Sequence, residues 1–212
     1  MSAVQPPWSP EVADPDPITQ FSRWFADALD VREPEPEAMT LATASPDGVP
    51  TLRWVLLKSW DDRGFVFYSN EHSAKGADMA ANPVAALAWR WYHLERQVRA
   101  VGAVTAVDPE QSDRYFASRP RGAQIGAWAS EQSSVVANRA FLEARMTELA
   151  NRFEGGEVTR PPHWRGFRVQ PTTLEFWQGR RDRVHDRVVY RDPTTTDPTS
   201  TDGGWVRERL AP

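Results

Sequence analysis

MTLATASPDGVPTLRWVLLK, residues 39–58, decides the fold. Two extended apolar segments, Met39–Ala44 and Val49–Lys58, flank Ser45-Pro46-Asp47-Gly48, whose proline, aspartate and glycine favour a tight turn. The reading is a β-hairpin, and the pattern continues outward from it. A second polar turn, Asp61-Asp62-Arg63-Gly64, precedes a strand over Phe65–Ser69. Further strands are predicted at Val84–Tyr92, Arg96–Val107, Gly166–Val169, Thr173–Gln178, Arg183–Tyr190 and Trp205–Leu210. Helical signals fall between them. Asp16-Pro17 caps a helix whose apolar stripe is Ile18, Phe21, Trp24, Phe25, Ala28 and Leu29. Ser73 caps a short helix carrying Lys75, and Asp108-Pro109 opens another that runs through Phe116. Arg119–Ser133 reads as a loop with a short helix, and Val135–Phe153 as an amphipathic helix. Many short strands with interspersed helices predict a mainly β, α+β chain: an antiparallel barrel decorated by helices.

Composition narrows the possibilities. A chain of 212 residues fits one domain, expected over 16–212, with residues 1–15, rich in proline and acids, expected as a mobile arm. Asp192–Gly204 is expected as a disordered hairpin loop. The net charge of −4 supplies no general field for nucleic acid or an anionic membrane. The absence of cysteine removes thiolate metal sites, disulfides and cysteine nucleophiles. No secretory pattern or membrane-length apolar run is present, so the expected location is cytoplasmic. Of 25 basic residues only Lys58 and Lys75 are lysines. A compact ammonium and a planar guanidinium serve different geometries, so both positions are candidates for a tight site.

The chemistry-bearing residues gather in a few segments. EFWQGRRDRVHDR, residues 175–187, joins a strand, a glycine turn and a second strand. A two-residue period puts Arg183, His185 and Arg187 on one face, a nitrogen-rich set that suits an anionic ligand. The same charges also suit a solvated edge strand. In Arg53–Lys58, Arg53, Val55 and Leu57 alternate with Trp54, Leu56 and Lys58, so Arg53 and Lys58 are expected on opposite sides of a barrel wall. Gln97 with Arg99, Tyr115 with Arg119 and Arg121, and Gln132 with Ser133 are further polar groups. The four histidines are scattered, and no Walker loop or dinucleotide glycine motif follows a strand.

In order along the chain, RWVLLK (53–58), GFVFYSN (64–70), Ser73-Ala74-Lys75, LERQVR (94–99), YFASRPRGAQIGAWASEQS (115–133), PPHWRGFRV (161–169), EFWQGRRDRVHDR (175–187) and RLAP (209–212) resemble the pyridoxine/pyridoxamine 5′-phosphate oxidases. These are flavin-dependent enzymes of the split-barrel fold, and the likeness runs from about Asp16 to the C-terminus. It implies FMN as cofactor, held by Arg53, Trp54, Val55, Leu56, Leu57, Lys58, Tyr68, Ser69, Lys75, Gln132 and Ser133, with Ala74 at a further cofactor position. It implies that Gln97, Trp177 and Arg187 complete the site from the partner subunit of a homodimer. It assigns the substrate phosphate to Lys58, Tyr115 and Arg119, with Ala123 beside them, and the substrate ring to Arg183, Val184 and His185. Arg183 and His185 are the implied catalytic pair.

The implied reaction is oxidation of pyridoxamine or pyridoxine 5′-phosphate by molecular oxygen to pyridoxal 5′-phosphate, with hydrogen peroxide released. Three departures from the family pattern stand out. Ala74 replaces an arginine near the flavin phosphate, Ala123 replaces a serine at the substrate phosphate, and the arm before Asp16 lacks the arginine- and tyrosine-containing segment of some members. A flavin oxidase acting on another ring, such as a phenazine precursor, and a non-catalytic FMN- or pyridoxal-phosphate-binding protein are the alternatives.

Overall fold

The Ser45–Gly48 turn closes as its residues demand. Gly48 takes φ +80°, a left-handed value that glycine adopts without a Cβ clash, and Ser45 accepts from the Gly48 N–H at 2.9 Å. The turn sets β1 (Ala38–Ala44) antiparallel to β2 (Pro50–Leu56), from Ala38 opposite Leu56 to Ala44 opposite Pro50. Along β1 every second residue, Met39, Leu41 and Thr43, is buried, which fixes the register against the core. In this computed structural model residues 8–196 and 204–212 are described. The remaining strands are β3 (Ser59–Asp61), β4 (Gly64–Asn70), β5 (Val84–Trp91), β6 (Arg96–Ala106), β7 (Trp164–Gln178), β8 (Asp186–Arg191) and β9 (Val206–Arg209). Every pairing is antiparallel, in the order β2-β1-β5-β6-β7-β4-β3, with β8 and β9 branching from β7. This is the expected decorated antiparallel barrel.

The branch in the sheet lies on β7. The sequence reading gave two strands here, Gly166–Val169 and Thr173–Gln178, but it is one strand of 15 residues. From Phe167 to Gln178 it pairs with β6 on one edge. On the other edge, Trp164–Val169 pairs with β4 and Thr173–Gln178 pairs with β8. Pro171 falls at the changeover, where its missing N–H removes no ladder bond that either neighbour needs. A register shift between Val101 and Gly102 leaves Thr172 as the extra residue, a bulge that bends the strand from one partner to the other. Two glycines permit this. A Cβ on Gly102 would lie 1.8 Å from the Gln170 carbonyl oxygen, and one on Gly64 (φ +114°) would lie 2.1 Å from that of Val169.

The helices close the barrel. In α1 (Pro17–Asp30) the Asp16 carboxylate accepts from the backbone N–H groups of Ile18 and Thr19, satisfying donors that the first turn leaves free. Phe21 meets Phe65 at 4.8 Å and Trp89 at 4.9 Å between ring centroids, and Trp24 meets Phe176 at 5.2 Å. Leu29, read as part of the same stripe, is exposed. A second apolar cluster, around Phe116, Ile125, Leu149 and Trp164, joins α3 (Pro109–Ser118), α4 (Arg121–Ala129) and α5 (Arg139–Arg152) to β7. Helix α5 is shorter than expected, because Asn138 caps it by accepting from the Phe141 N–H at 2.9 Å. Of its apolar residues only Leu149 is buried. The short α2 (Ala74–Ala81) and α6 (Pro193–Thr196) complete the helices. No helix of the described residues is long and apolar enough to cross a membrane.

Of the arm expected over 1–15, residues 1–7 lie outside the described residues, and residues 8–15 are packed onto the barrel. Trp8 is buried between Trp24 and Phe176, and the Tyr190 hydroxyl donates to the Asp14 carbonyl at 2.8 Å. Arg207 donates to the Pro10 and Ala13 carbonyls. Proline and acid content describe how this backbone behaves alone, whereas one large apolar ring is enough to dock it. The expected disordered loop begins with α6, and residues 197–203 lie outside the described residues.

Substituting Gly102 by alanine is expected to lower stability by roughly 1–3 kcal/mol or more, since the fixed carbonyl of Gln170 has to move. Gly48→Ala has open space around it, so it should cost only its left-handed conformation, roughly 1–2 kcal/mol. Urea unfolding of both variants checks the ranking; equal losses would show that the close approach at Gly102 is not a constraint.

Candidate active site

A cavity of about 840 Å³ opens between β2, β4, the start of α2 and the α3–α4 junction, a size suited to a cofactor or drug-sized ligand. Its walls bring together Arg53, Trp54, Val55, Leu56, Lys58, Tyr68, Ser69, Ala74, Lys75, Tyr115, Arg119, Ala123, Gln132 and Ser133. Ser118, Pro120 and Trp164 also line it and were not singled out in the sequence. The aromatic content of PPHWRGFRV was the available signal for Trp164. Arg53 and Lys58, expected on opposite sides of the wall, face the same cavity. The alternation fails because β2 ends at Leu56 and the chain turns toward β3 before Lys58. Leu57 does not line the cavity; its side chain is buried in the barrel core.

Hydrogen bonds tie three separate segments into one wall. Lys75 Nζ donates to Ser73 Oγ at 2.9 Å and to Gln132 Oε1 at 2.7 Å. Ser69 Oγ donates to the same Gln132 oxygen at 3.2 Å, and the Ala74 N–H donates to Ser133 Oγ at 3.2 Å. Arg53 donates to Thr43 Oγ1 at 2.7 Å and Thr51 Oγ1 at 2.6 Å, and both hydroxyls contact Asp78. The nearest carboxylate to Arg53 is thus reached through threonines.

The cavity is short of negative charge. Among the described residues, Arg53, Lys75 and Arg119 form no ion pair with a carboxylate. Burial, and then the charge of Arg53, push the Lys75 ammonium down to about 8. Burial also lowers Arg119, whose Nη1 is buried without a hydrogen-bond partner among the described residues. The Arg119 guanidinium lies 4.8 Å from the Trp164 ring centroid. Beside it Tyr68 stacks on Tyr115 at 4.1 Å and on Trp164 at 5.1 Å, the rings within 18° and 10° of parallel. Burial raises both tyrosine hydroxyls. Desolvated cations beside flat rings favour a ligand that combines anionic and aromatic parts.

The other predicted site residues lie elsewhere on the same chain. Gln97 pairs with Trp177 and Trp177 with Arg187 across β6, β7 and β8, so register alone makes them a contiguous row. Arg90, opposite Gln97 on β5, extends the row, with its guanidinium 5.8 Å from the Trp177 ring centroid. Sequence reading did not select Arg90. Arg187 donates to Glu175 at 2.8 Å and to the Ala211 carbonyl at 2.7 Å, which ties the C-terminal segment to the row.

Arg183 and His185 are not on a strand: β8 begins at Asp186, and Arg181–Arg183 form a 3-10 turn. Asp182 and Arg183 have φ +60° and +61°, left-handed values costing roughly 1–3 kcal/mol each in a non-glycine residue. Arg183 and Val184 are exposed. The His185 ring packs 4.5 Å from Trp177, and its Nδ1 accepts the Arg180 N–H at 3.1 Å. None of this row or turn lines the cavity of its own chain.

A broad face of the sheet carries Leu52, Trp54, Leu56 and Val101 exposed around the small side chains of Thr40, Ala42, Ala86 and Ala88. Trp54 leaves 65% of its surface open. A contiguous apolar face of this kind is a surface for association.

Fold and cavity together define a split-barrel flavoprotein. Residues 25–153 match the family model described as pyridoxamine 5′-phosphate oxidase, and 164–212 match the pyridoxine 5′-phosphate oxidase C-terminal dimerisation region. The chain is 55% identical over 200 residues to the pyridoxine/pyridoxamine 5′-phosphate oxidase of Burkholderia multivorans, covering 94% of this chain and 91% of that protein. A relative of the same name in Burkholderia mallei is 53% identical over 199 residues, covering 94% and 90%. PhzG of Burkholderia lata, solved with tetrahydrophenazine-1-carboxylic acid, superposes with a TM-score of 0.86 at 30% identity, covering 95% of each chain. An FMN-binding protein of Nostoc punctiforme related to pyridoxamine 5′-phosphate oxidase shares the fold, with a TM-score of 0.69 at 16% identity, covering 91% of this chain and 97% of that one. The chain belongs to the pyridoxine/pyridoxamine 5′-phosphate oxidase family; it is an oxidoreductase with FMN as cofactor and a dimerisation region.

Lys75 gives a pH signature. In the unfolded chain its ammonium titrates near the ordinary value of 10.5, and in the folded, ligand-free protein near 8. Below pH 8 both states hold the proton and the folded state carries the full burial cost. Between about pH 8 and 10.5 only the unfolded state stays protonated, so this group's contribution to stability rises with pH. Urea unfolding of the flavin-free protein at pH 7 and 9.5 should therefore show an increment that Lys75→Met lacks; the same pH dependence in both would place the effect elsewhere.

Proposed function

We propose that this chain oxidises pyridoxamine and/or pyridoxine 5′-phosphate with molecular oxygen to pyridoxal 5′-phosphate and hydrogen peroxide, with ammonia also released from the amine. One observation carries the proposal: a single cavity is lined by four cationic residues, Arg53 beside Lys75 together with Lys58 and Arg119, and by the rings of Trp54, Tyr68, Tyr115 and Trp164. Arg53 and Lys75 suit the phosphate of FMN, and Lys58 and Arg119 the phosphate of a substrate. The relatives named for this reaction, at 52–55% identity, support the same reading.

The residues present fit FMN. Arg53, Lys75, Ser69, Gln132 and Ser133 offer cationic, hydroxyl and amide groups for a phosphate and a polar ring edge, and Trp54, Val55 and Leu56 offer apolar wall. Bound there, FMN supplies the two-electron acceptor that oxygen regenerates. Lys58, Tyr115 and Arg119 hold the substrate phosphate, the unpartnered Arg119 Nη1 gaining a charged acceptor. The substrate loses a hydride from C4′ and a proton from its hydroxyl or amine, giving the aldehyde directly or an imine that water hydrolyses.

In a two-fold dimer built on the exposed apolar face, the row Gln97–Trp177–Arg187 of one protomer reaches the cavity of its partner. Arg183, Val184 and His185 arrive with it and cover the substrate ring. These residues place the C4′ hydrogen toward the acceptor and exclude water, which is the main protein contribution when a cofactor carries the electrons.

A second reading, an oxidase for a different ring acid, draws on PhzG and on Ala123, which opens the phosphate end where family members have serine. Peroxide release with pyridoxamine phosphate, pyridoxine phosphate and their unphosphorylated forms separates the two. The phosphorylated forms should be preferred; no preference would move the assignment to the other ring. Sedimentation should show a yellow dimer, and a stable monomer retaining flavin would overturn the shared site.

Ala123→Ser should tighten binding of the phosphorylated substrates by up to about tenfold, one added hydrogen bond being worth roughly 1.4 kcal/mol at that ratio. Loosened binding would show that Ala123 does not adjoin the phosphate.

A further inference from the structure

We propose that Asp186, acting through Arg180, is a positioning residue that fixes His185 as a neutral hydrogen-bond donor at Nε2, so that His185 orients substrate and does not abstract its proton. The assignment of His185 to the substrate ring rests on the function proposed above; the fixing of its tautomer does not.

The turn that carries Arg183 and His185 is exposed at its centre. Arg183 and Val184 are exposed, and two successive residues, Asp182 and Arg183, are in left-handed backbone conformations. Its geometry is therefore set at its ends. At the near end, the buried Gly179 donates its N–H to the Glu95 carbonyl at 2.7 Å. At the far end stands Asp186, whose carboxylate gathers three donors from different parts of the chain. Arg180 Nε reaches Oδ2 at 2.6 Å, Arg209 Nη1 reaches Oδ1 at 2.9 Å, and the Trp8 N–H reaches Oδ2 at 3.2 Å. Arg209 also donates to the Trp8 carbonyl at 2.7 Å, so the packed N-terminal segment and β9 brace the same carboxylate.

The clamp on Arg180 has a chemical result at His185. The Arg180 backbone N–H points at His185 Nδ1, 3.1 Å away. A nitrogen that accepts a hydrogen bond carries no proton, so in this arrangement the neutral ring bears its proton on Nε2. Nδ1 is then occupied, and Nε2–H is a donor. The Trp177 ring packs against the imidazole, 4.5 Å away between centroids. A ring held this way can donate to an oxygen or ring nitrogen of a substrate but has no free lone pair with which to take a proton. The Asp186 carboxylate stays ionised to support this, held below its usual range by Arg209 and Arg180 against the opposing effect of burial.

The test uses the FMN-loaded protein and reads the tautomer directly. Long-range proton–nitrogen NMR of the His185 ring should show Nε2 protonated and Nδ1 unprotonated in the wild type. Asp186→Asn should give a mixture of tautomers and lower kcat by about tenfold to a hundredfold with FMN content unchanged, and Asp186→Glu should recover part of the loss. His185→Gln, which keeps a donor but no base, should retain more activity than His185→Ala. Should Asp186→Asn fail to fold, Arg180→Met removes the same contact while leaving Arg209 and Trp8 on the carboxylate. It is expected to give the same two changes. A wild-type ring protonated on Nδ1, or a tautomer unchanged in the folded variants, would overturn the proposal. Equal inactivity of the glutamine and alanine variants would overturn the donor role. If the wild type oxidises neither phosphate, the function above fails while the NMR result still decides the tautomer.

Discussion

The division of β7 between two partners is the constraint on which the rest of the molecule depends. A strand has two edges, and β7 gives one of them, from Phe167 to Gln178, to β6. Its other edge serves β4 up to Val169 and β8 from Thr173. β4 and β8 use separate stretches of that edge, and the strand changes direction between them. Pro171, which has no N–H to contribute, and the extra residue Thr172 let the strand bend away from one partner as it meets the other. Gly64 and Gly102 matter for the same reason, since both lie against the backbone of this bend.

That division produces two surfaces with different chemistry. On the β4 side, the barrel wall, α2 and the α3–α4 junction enclose a cavity rich in cations and parallel aromatic rings. On the β8 side, register aligns Arg90, Gln97, Trp177 and Arg187 in a row, with the strained turn of Arg183 and the braced ring of His185 at its end. One chain holds each half of the proposed site, and the halves do not meet within it. Association through the exposed apolar face would supply what each lacks, and both would be retained only in the assembly. The charge imbalance of the cavity follows the same logic. A buried lysine and half-buried arginines without carboxylates raise the energy of the empty protein, and an anionic ligand relieves it.

Much of this was legible along the chain. The hairpin at Ser45–Gly48, the Asp16 and Ser73 caps, and the order of strands follow from local chemistry: a turn needs its glycine, and a helix start needs a side-chain acceptor. The cavity residues from Arg53 to Ser133 were named through the family likeness, and apart from Leu57 the structure gathers them around one space. Other features were misread because no local rule contains them. Gly166–Val169 and Thr173–Gln178 looked like two strands, and only the change of partner shows how one strand runs through Pro171 between them. Arg183 and His185 looked like alternate residues of a strand, but two left-handed residues break the period. Residues 8–15 looked unstructured until Trp8 found a slot between Trp24 and Phe176.

The sequence by itself determined the class of fold, the family and the kinds of side chain available, because periodicity, turn residues and ordered motifs are properties of neighbours in the chain. Only the tertiary structure decided which of those side chains share a space. It put Arg53 and Lys58 in one cavity against their alternation, added Trp164 to the aromatic wall, and set Trp8, Arg180 and Arg209 around Asp186. Such juxtapositions depend on contacts between residues up to 201 positions apart, as for Arg209 with Trp8. Hydrogen bonding and burial across that separation are fixed by how the sheet bends, and no local periodicity records it.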